Sequence, residues 1–213
     1  MTSDKVGCAR LFIQKFLLLL ASSAALFCGI AACGGQTETI TWQEEVALHD
    51  GKSIVVTRSM TLGGTWREIG QSPGESMYNL NFTSPDGRQI SWENPGRLRL
   101  MILDFLDGVP YLAASPAMVT DYARYKCPDP AYVFFKYDSS WQRIEFKDFP
   151  SEFRKTNMVI STKKHGSEMR NRIVPASEIA RSNGDLDRDY REIDPNKRSP
   201  SDCKVTHILN QKD

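Results

Sequence analysis

The chain has 213 residues, 40% of them hydrophobic, with 27 Lys+Arg against 26 Asp+Glu and a formal net charge of +1. That near-neutrality excludes an overall electrostatic case for nucleic acid, and the length suits one domain with accessory segments. Five cysteines and three histidines form no CxxC pair and no Cys/His cluster, so no metal or cofactor site is indicated.

Residues 1–32 read as an address. Lys5, Arg10 and Lys15 face one acid, Asp4, and an apolar stretch then runs from Phe16 to Ala32. A basic head, a short apolar core and small residues before a cut site are the parts of a secretory signal. The 17 residues between Lys15 and Cys33 fall short of the roughly 20 that a helical span requires, and Gly34-Gly35-Gln36-Thr37 follows at once. Ile30-Ala31-Ala32-Cys33 resembles the lipobox of bacterial lipoproteins. The resemblance implies cleavage before Cys33, acylation of its thiol and attachment to a membrane through the acyl chains, more than one of which is needed for stable anchoring. Gly34 stands where an Asp would imply retention at the inner membrane, so the periplasmic face of the outer membrane is the implied location. Removing three bases and one acid with residues 1–32 leaves 24 Lys+Arg and 25 Asp+Glu in the expected mature chain.

After an acylated tether at 33–41, a β-rich domain is expected over 42–160. Glu44–His49 and Lys52–Thr57 flank Asp50-Gly51, a hairpin signal because tight primed turns need positive φ. The device recurs. Tyr78–Phe82 and Arg88–Trp92 flank Pro85-Asp86-Gly87, and Leu98–Phe105 and Val109–Ala113 flank Asp107-Gly108. Tyr132–Tyr137 and Trp141–Phe146 flank Asp138-Ser139-Ser140. Four such units predict a mostly β fold of antiparallel hairpins, and their unequal spacing favours a meander or sandwich over a regular repeat array. Residues 161–213 read as a charged tail. They carry a short helix at Pro175–Arg181, ended by Asn183-Gly184, and then a solvated or partly ordered stretch to Ser201.

The segments TWQEEVALHDG, LDFLDGVPYLAASPA, AYVFFKYDSSWQRIEFKDFPSEF and NMVIS, within residues 41 to 160, resemble a group of uncharacterised bacterial lipoproteins. The resemblance implies export and a single domain and brings no activity with it. In an oxidising compartment Cys127 and Cys203 are the candidates for a disulfide that would tie the tail to the domain, with two unpaired thiols or an interchain bridge as the alternatives.

Chemistry is sparse at this level. His49, His165 and His207 have no GxSxG elbow to serve, and no catalytic residue is assigned. The Asn183–Asp194 stretch alternates oxygens like a calcium loop, yet Arg188 occupies the position of the turn glycine. The aromatics Trp42, Trp66, Trp92 and Trp141 read as core and cross-strand pairs. Phe134 and Phe135 are adjacent and must point to opposite faces, so one of them lies outside the main core or under the tail. The expected partner surface is therefore the second sheet face, at Tyr132, Phe134 and Tyr137, with the basic residues Lys163 and Lys164. The function expected is a non-catalytic envelope binding or assembly module with a protein partner at the membrane. An inhibitor or immunity lipoprotein is one alternative and an envelope hydrolase built on a histidine is the other.

Overall fold

A computed structural model of the protein describes residues 38–62, 75–94, 97–160 and 168–203. The expected address segment, Cys33, Trp66, Lys163, Lys164, His165 and His207 lie outside the described residues. Among the described residues nine strands form two sheets. The first runs in the order β4-β3-β2-β1-β9, from β1 (Glu38–Ala47), β2 (Ser53–Leu62), β3 (Glu75–Thr83), β4 (Gln89–Asn94) and β9 (Ile173–Val174). The second runs β5-β6-β7-β8, from β5 (Leu98–Leu106), β6 (Val109–Pro116), β7 (Val133–Asp138) and β8 (Ser140–Ile144). Helix α1 (Val119–Arg124) links β6 to β7, and α2 (Ala176–Gly184) and α3 (Arg188–Arg191) follow β9.

The four expected hairpins are all present, and the expected meander-or-sandwich architecture is a sandwich of two sheets. Asp107 and Gly108 both take positive φ, +52° and +75°, which is what a two-residue primed turn between Leu106 and Val109 demands. In β1 the alternate residues Ile40, Trp42, Glu44 and Val46 are buried, so one face of the first sheet is inward. Its Val46, Val56, Leu80, Phe82 and Trp92 pack on Leu98, Leu100, Leu103, Phe105 and Leu112 of the second sheet. Trp141 closes the far side, where its indole Nε1 donates to the Ser91 carbonyl of β4 at 2.8 Å.

The second sheet is buried on both faces. Its outer face carries Ile102, Tyr111, Tyr132 and Phe134, covered by Phe149, Phe153, Ile160 and Ile193 from the chain that follows. This is why β5 and β6 read as nearly continuous apolar runs. A bulge at Met101 divides β5. Leu100 pairs with Ala114 and Ile102 with Ala113, so Met101 is the extra residue. Side-chain direction alternates every residue, and one inserted residue swaps the faces beyond it. Leu98 and Leu100 before the bulge, and Leu103 and Phe105 after it, therefore all face the first sheet. Ile102 and Asp104 are thrown to the outer side. The Met101 carbonyl accepts from Asn157 N at 3.0 Å and Met158 N at 3.2 Å, which pairs the bulged backbone.

Sheet pairing reaches beyond residues 42–160: Ile173 and Val174 pair in parallel with Gln43 and Glu44, and β1 begins at Glu38. The described part of 184–201, expected to be solvated or partly ordered, lies against the sandwich. Leu186, Tyr190 and Ile193 pack on the outer aromatic cluster, and Lys197 sits 4.9 Å from the Tyr132 ring and 4.4 Å from the Tyr190 ring, ion-paired to Asp189 at 2.9 Å. Cys127 and Cys203 are joined, with their Cα atoms 6.0 Å apart. The apolar content of this segment is low, but the few apolar residues it has are spaced to reach one surface. Among the described residues no helix is long and apolar enough to cross a membrane.

Candidate functional site: the His49–Asp104 cleft

His49 follows β1 in the first hairpin turn. Leu48 N donates to Lys52 O at 2.8 Å and Gly51 N to Leu48 O at 3.1 Å, so the backbone holding the histidine is closed on itself. Beside it, Lys52 donates from both its backbone N (3.0 Å) and its ammonium (2.8 Å) to Asp50, and the ammonium bond is the main cause of an Asp50 pKa below the ordinary value.

Asp104, delivered to the outer side of β5 by the Met101 bulge, meets His49 there. His49 Nδ1 lies 2.8 Å from Asp104 Oδ1, and His49 backbone N donates to Oδ2 at 2.9 Å. Phe105 N also donates to Oδ1, at 2.8 Å. A carboxylate surrounded by N–H groups can only accept, which places the imidazole proton on Nδ1 and leaves Nε2 as the open nitrogen. No partner for Nε2 occurs among the described residues. The side chain of Asp104 is 5% exposed and that of His49 30%, so a buried acid orients a histidine that solvent can reach. The Phe153 ring stands 4.9 Å from the imidazole and fixes its other face.

The pair lines a cleft of about 520 Å³. Leu48, Phe153, Ile179 and Ala180 give it apolar walls, and Glu152, Arg154 and Lys155 lie at its polar side. Asn157 braces it. Its side-chain amide donates to Ala47 O at 2.9 Å and Leu103 O at 2.8 Å, while its oxygen accepts from Leu103 N at 3.1 Å. One side chain thereby ties the end of β1 to the free edge of β5, and the wall between them is held by both sheets.

A second polar group is buried in the first sheet. Glu44 and Arg58 are buried to within 2% and paired at 2.7 Å. Glu44 also accepts from Trp42 Nε1 at 2.6 Å and Val159 N at 3.1 Å, and Arg58 donates to Val159 O at 2.8 Å. The period of two in β1 carried this signal: Glu44 is in phase with Ile40, Trp42 and Val46, as Arg58 is with Val56 and Met60. Each element of this network is satisfied within the fold, so it is a brace for residues 158–160 and offers nothing to a ligand.

Of the residues expected to form a partner surface, Tyr132, Phe134 and Tyr137 are described, and Lys163 and Lys164 lie outside the described residues. Tyr132 and Phe134 are only 1% and 3% exposed. Tyr132 is a clamp: its hydroxyl donates to Asp189 O at 2.9 Å and accepts from Asp194 N at 3.2 Å, and burial pushes its pKa up to about 12. Phe134 stacks on Phe149 with centroids 4.7 Å apart, under the later chain as one of the two adjacent rings had to be. Tyr137 is half-buried against Trp141 and the inter-sheet core. Of the three histidines, His49 does meet an acid. Among the described residues no serine or cysteine lines the cleft, and the Thr156 hydroxyl there is spent on Tyr190 O at 2.7 Å. Among the described residues no three His, Cys, Asp or Glu side chains are grouped to hold a metal ion. The His49–Asp104 pairing had one readable cue, a lone acid in the apolar run LRLMILDFL, whose partner sequence reasoning could not supply. No family model, no curated protein and no solved structure matches the chain.

Proposed function

We propose that this chain is a lipoprotein of the bacterial envelope, anchored through Cys33, whose β-sandwich is a binding module with the His49 cleft as its recognition site. The observation that carries the binding reading is the cleft itself. It is walled by residues from β1, β5, the 152–157 segment and α2, and Asn157 fixes it without a ligand. Pre-formed concavities with apolar walls and a few oriented polar groups are where small ligands and partner side chains dock. The disulfide supports export, since such bridges persist in oxidising compartments. It also occupies both thiols that could otherwise pair with Cys33 in the expected mature chain. A tether then confines the module to the membrane surface and raises its effective concentration for partners there. The outer membrane, periplasmic side, follows from the residue after Cys33.

Intact mass of membrane-extracted protein, wild type beside Cys33→Ala, tests the anchor. A chain beginning at Cys33 and carrying acyl mass, absent from the variant, is the expected result. An unacylated chain that retains residues 1–32 would sink it.

The His49–Asp104 pair favours a second reading, an envelope hydrolase, because an acid-oriented imidazole with an open Nε2 is the base half of a triad. Among the described residues the cleft shows no side chain for the other half. Ester or amide turnover abolished by His49→Ala would establish it; turnover unaffected by that change would remove it.

A further inference from the structure

We infer that Met118 and Val119, with Arg97, Arg124 and Lys126 around them, are the face by which the anchored domain seats on an anionic bilayer. This rests on the Cys33 anchor and makes no use of the His49 cleft.

The tether sets which end of the sandwich is held near the membrane. Glu38, where β1 starts, is five residues after Cys33, and five residues span at most about 18 Å when fully extended. Strand register carries that end across the first sheet. Glu38 pairs with Leu62 and Leu62 with Glu75, and β4 finishes at Asn94, opposite Tyr78 near the start of β3. Three strand spacings, about 14 Å, separate β1 from β4. The second sheet reaches the same end. The Arg97 carbonyl, just before β5, accepts from Ala117 N at 2.9 Å just beyond β6, and the Tyr125 hydroxyl after α1 donates to Asn94 Oδ1 at 3.5 Å. Met118 and Val119 therefore stand at the end from which the tether leaves.

The chemistry exposed there suits a lipid surface. Met118 is 50% exposed and Val119 38%, and among the described residues they are the one adjacent pair of exposed large hydrophobics. The others stand singly, Val55 opposite Glu45, Phe146 beside Glu145, and Ile173 in β9. A cation is held at the apolar pair, since Arg97 Nη1 lies 2.8 Å from Met118 Sδ. Arg124, in the last turn of α1, and Lys126 are exposed as well. The one acid in residues 117–126, Asp121, is buried and accepts from Met118 N at 3.2 Å. An apolar tip among bases, with its acid withdrawn, gains both apolar burial and attraction to anionic headgroups at an interface.

The test is photolabelling of the membrane-extracted full chain in phosphatidylethanolamine–phosphatidylglycerol vesicles whose lipids carry a diazirine on an acyl carbon near the headgroup. Phosphatidylcholine vesicles are the neutral comparison, and label is located by mass mapping of peptic fragments. Arg124→Gln with Lys126→Gln is the decisive variant, because it removes charge and leaves the apolar pair in place. We expect label concentrated on residues 117–124, reduced about fivefold or more in phosphatidylcholine and in the variant, from the worth of a base at an anionic surface. Label unchanged in the variant, equal in phosphatidylcholine, spread evenly over the surface or centred on another face would each overturn the inference. If the variant melts early, Val119→Gln, at an exposed side chain, gives the second reading: weaker label on 117–124 supports the proposal and unchanged label refutes it. Intact mass of the same samples reads the anchor separately. Label on 117–124 of an unacylated chain upholds the contact and removes the anchor reading, and an acylated chain without that label does the reverse.

Discussion

At the scale of single residues, the chain spends charged side chains in its interior where they lock segments together. Arg58 and Glu44 show the logic. Neither stabilises the fold by burial, and removing a charge from water costs more than most contacts return. What they do is fix Val159, and with it the backbone of the segment around it. Replacing Arg58 with Met should therefore cost about 3–5 kcal/mol, because Glu44 remains buried without its cation. The double change Arg58→Met with Glu44→Gln should recover part of that loss. Urea denaturation of the three proteins checks it, and a double variant no more stable than the single one would show that the network is not a pair. The Asp104–His49 contact is of the same kind but asymmetric, since one partner stays open to solvent.

At the scale of elements, the late segment is a fitted lid on the outer face of the second sheet. Tyr132 holds it from below through Asp189 and Asp194, and Lys197 lies against the Tyr132 and Tyr190 rings. The clamp has a pH signature. Tyr132 titrates at about 12 in the folded chain against an ordinary value of 10.0. Below pH 10 the phenol is neutral in both states and its contribution is complete. As the pH rises from there toward 12 only the unfolded chain ionises, so stability is lost across that window. Urea midpoints measured at pH 9 and pH 11 should fall for the wild type, and Tyr132→Phe should reduce the fall while lowering the midpoint at pH 9 through its lost hydrogen bonds. An equal fall in both proteins would place the alkaline sensitivity elsewhere.

At the scale of the molecule, the sandwich is closed by contacts far apart in sequence. The Cys127–Cys203 bridge spans 76 residues, and loop-closure entropy assigns such a link about 4 kcal/mol. The double change Cys127→Ala and Cys203→Ala should lower stability by an amount of that order, read from thermal or urea unfolding. A loss under about 1 kcal/mol would mean that packing of Leu186, Tyr190 and Ile193 alone holds the lid.

The hairpins were legible because their cause is local. A positive-φ turn at Asp107-Gly108, or an Asp-Gly pair between alternating runs, is written in adjacent residues, and so was the need for Phe134 and Phe135 to part. The mostly β class and the presence of the short helix follow from the same short-range periodicities. The cleft was not legible, for a reason that Asp104 makes concrete. In a regular β5 that acid would share the inward face of Leu98 and Leu100. The Met101 bulge reverses it, and the bulge is stabilised by Asn157 and Met158, more than fifty residues on. His49 and Asp104 are separated by 55 positions and meet only once that reversal is made. In the same way the pairing of β9 with β1 was not legible, because two residues of strand carry no periodicity to read. Local chain chemistry determined the strands and turns; long-range hydrogen bonds, satisfied only in the assembled sandwich, decided which polar groups face one another.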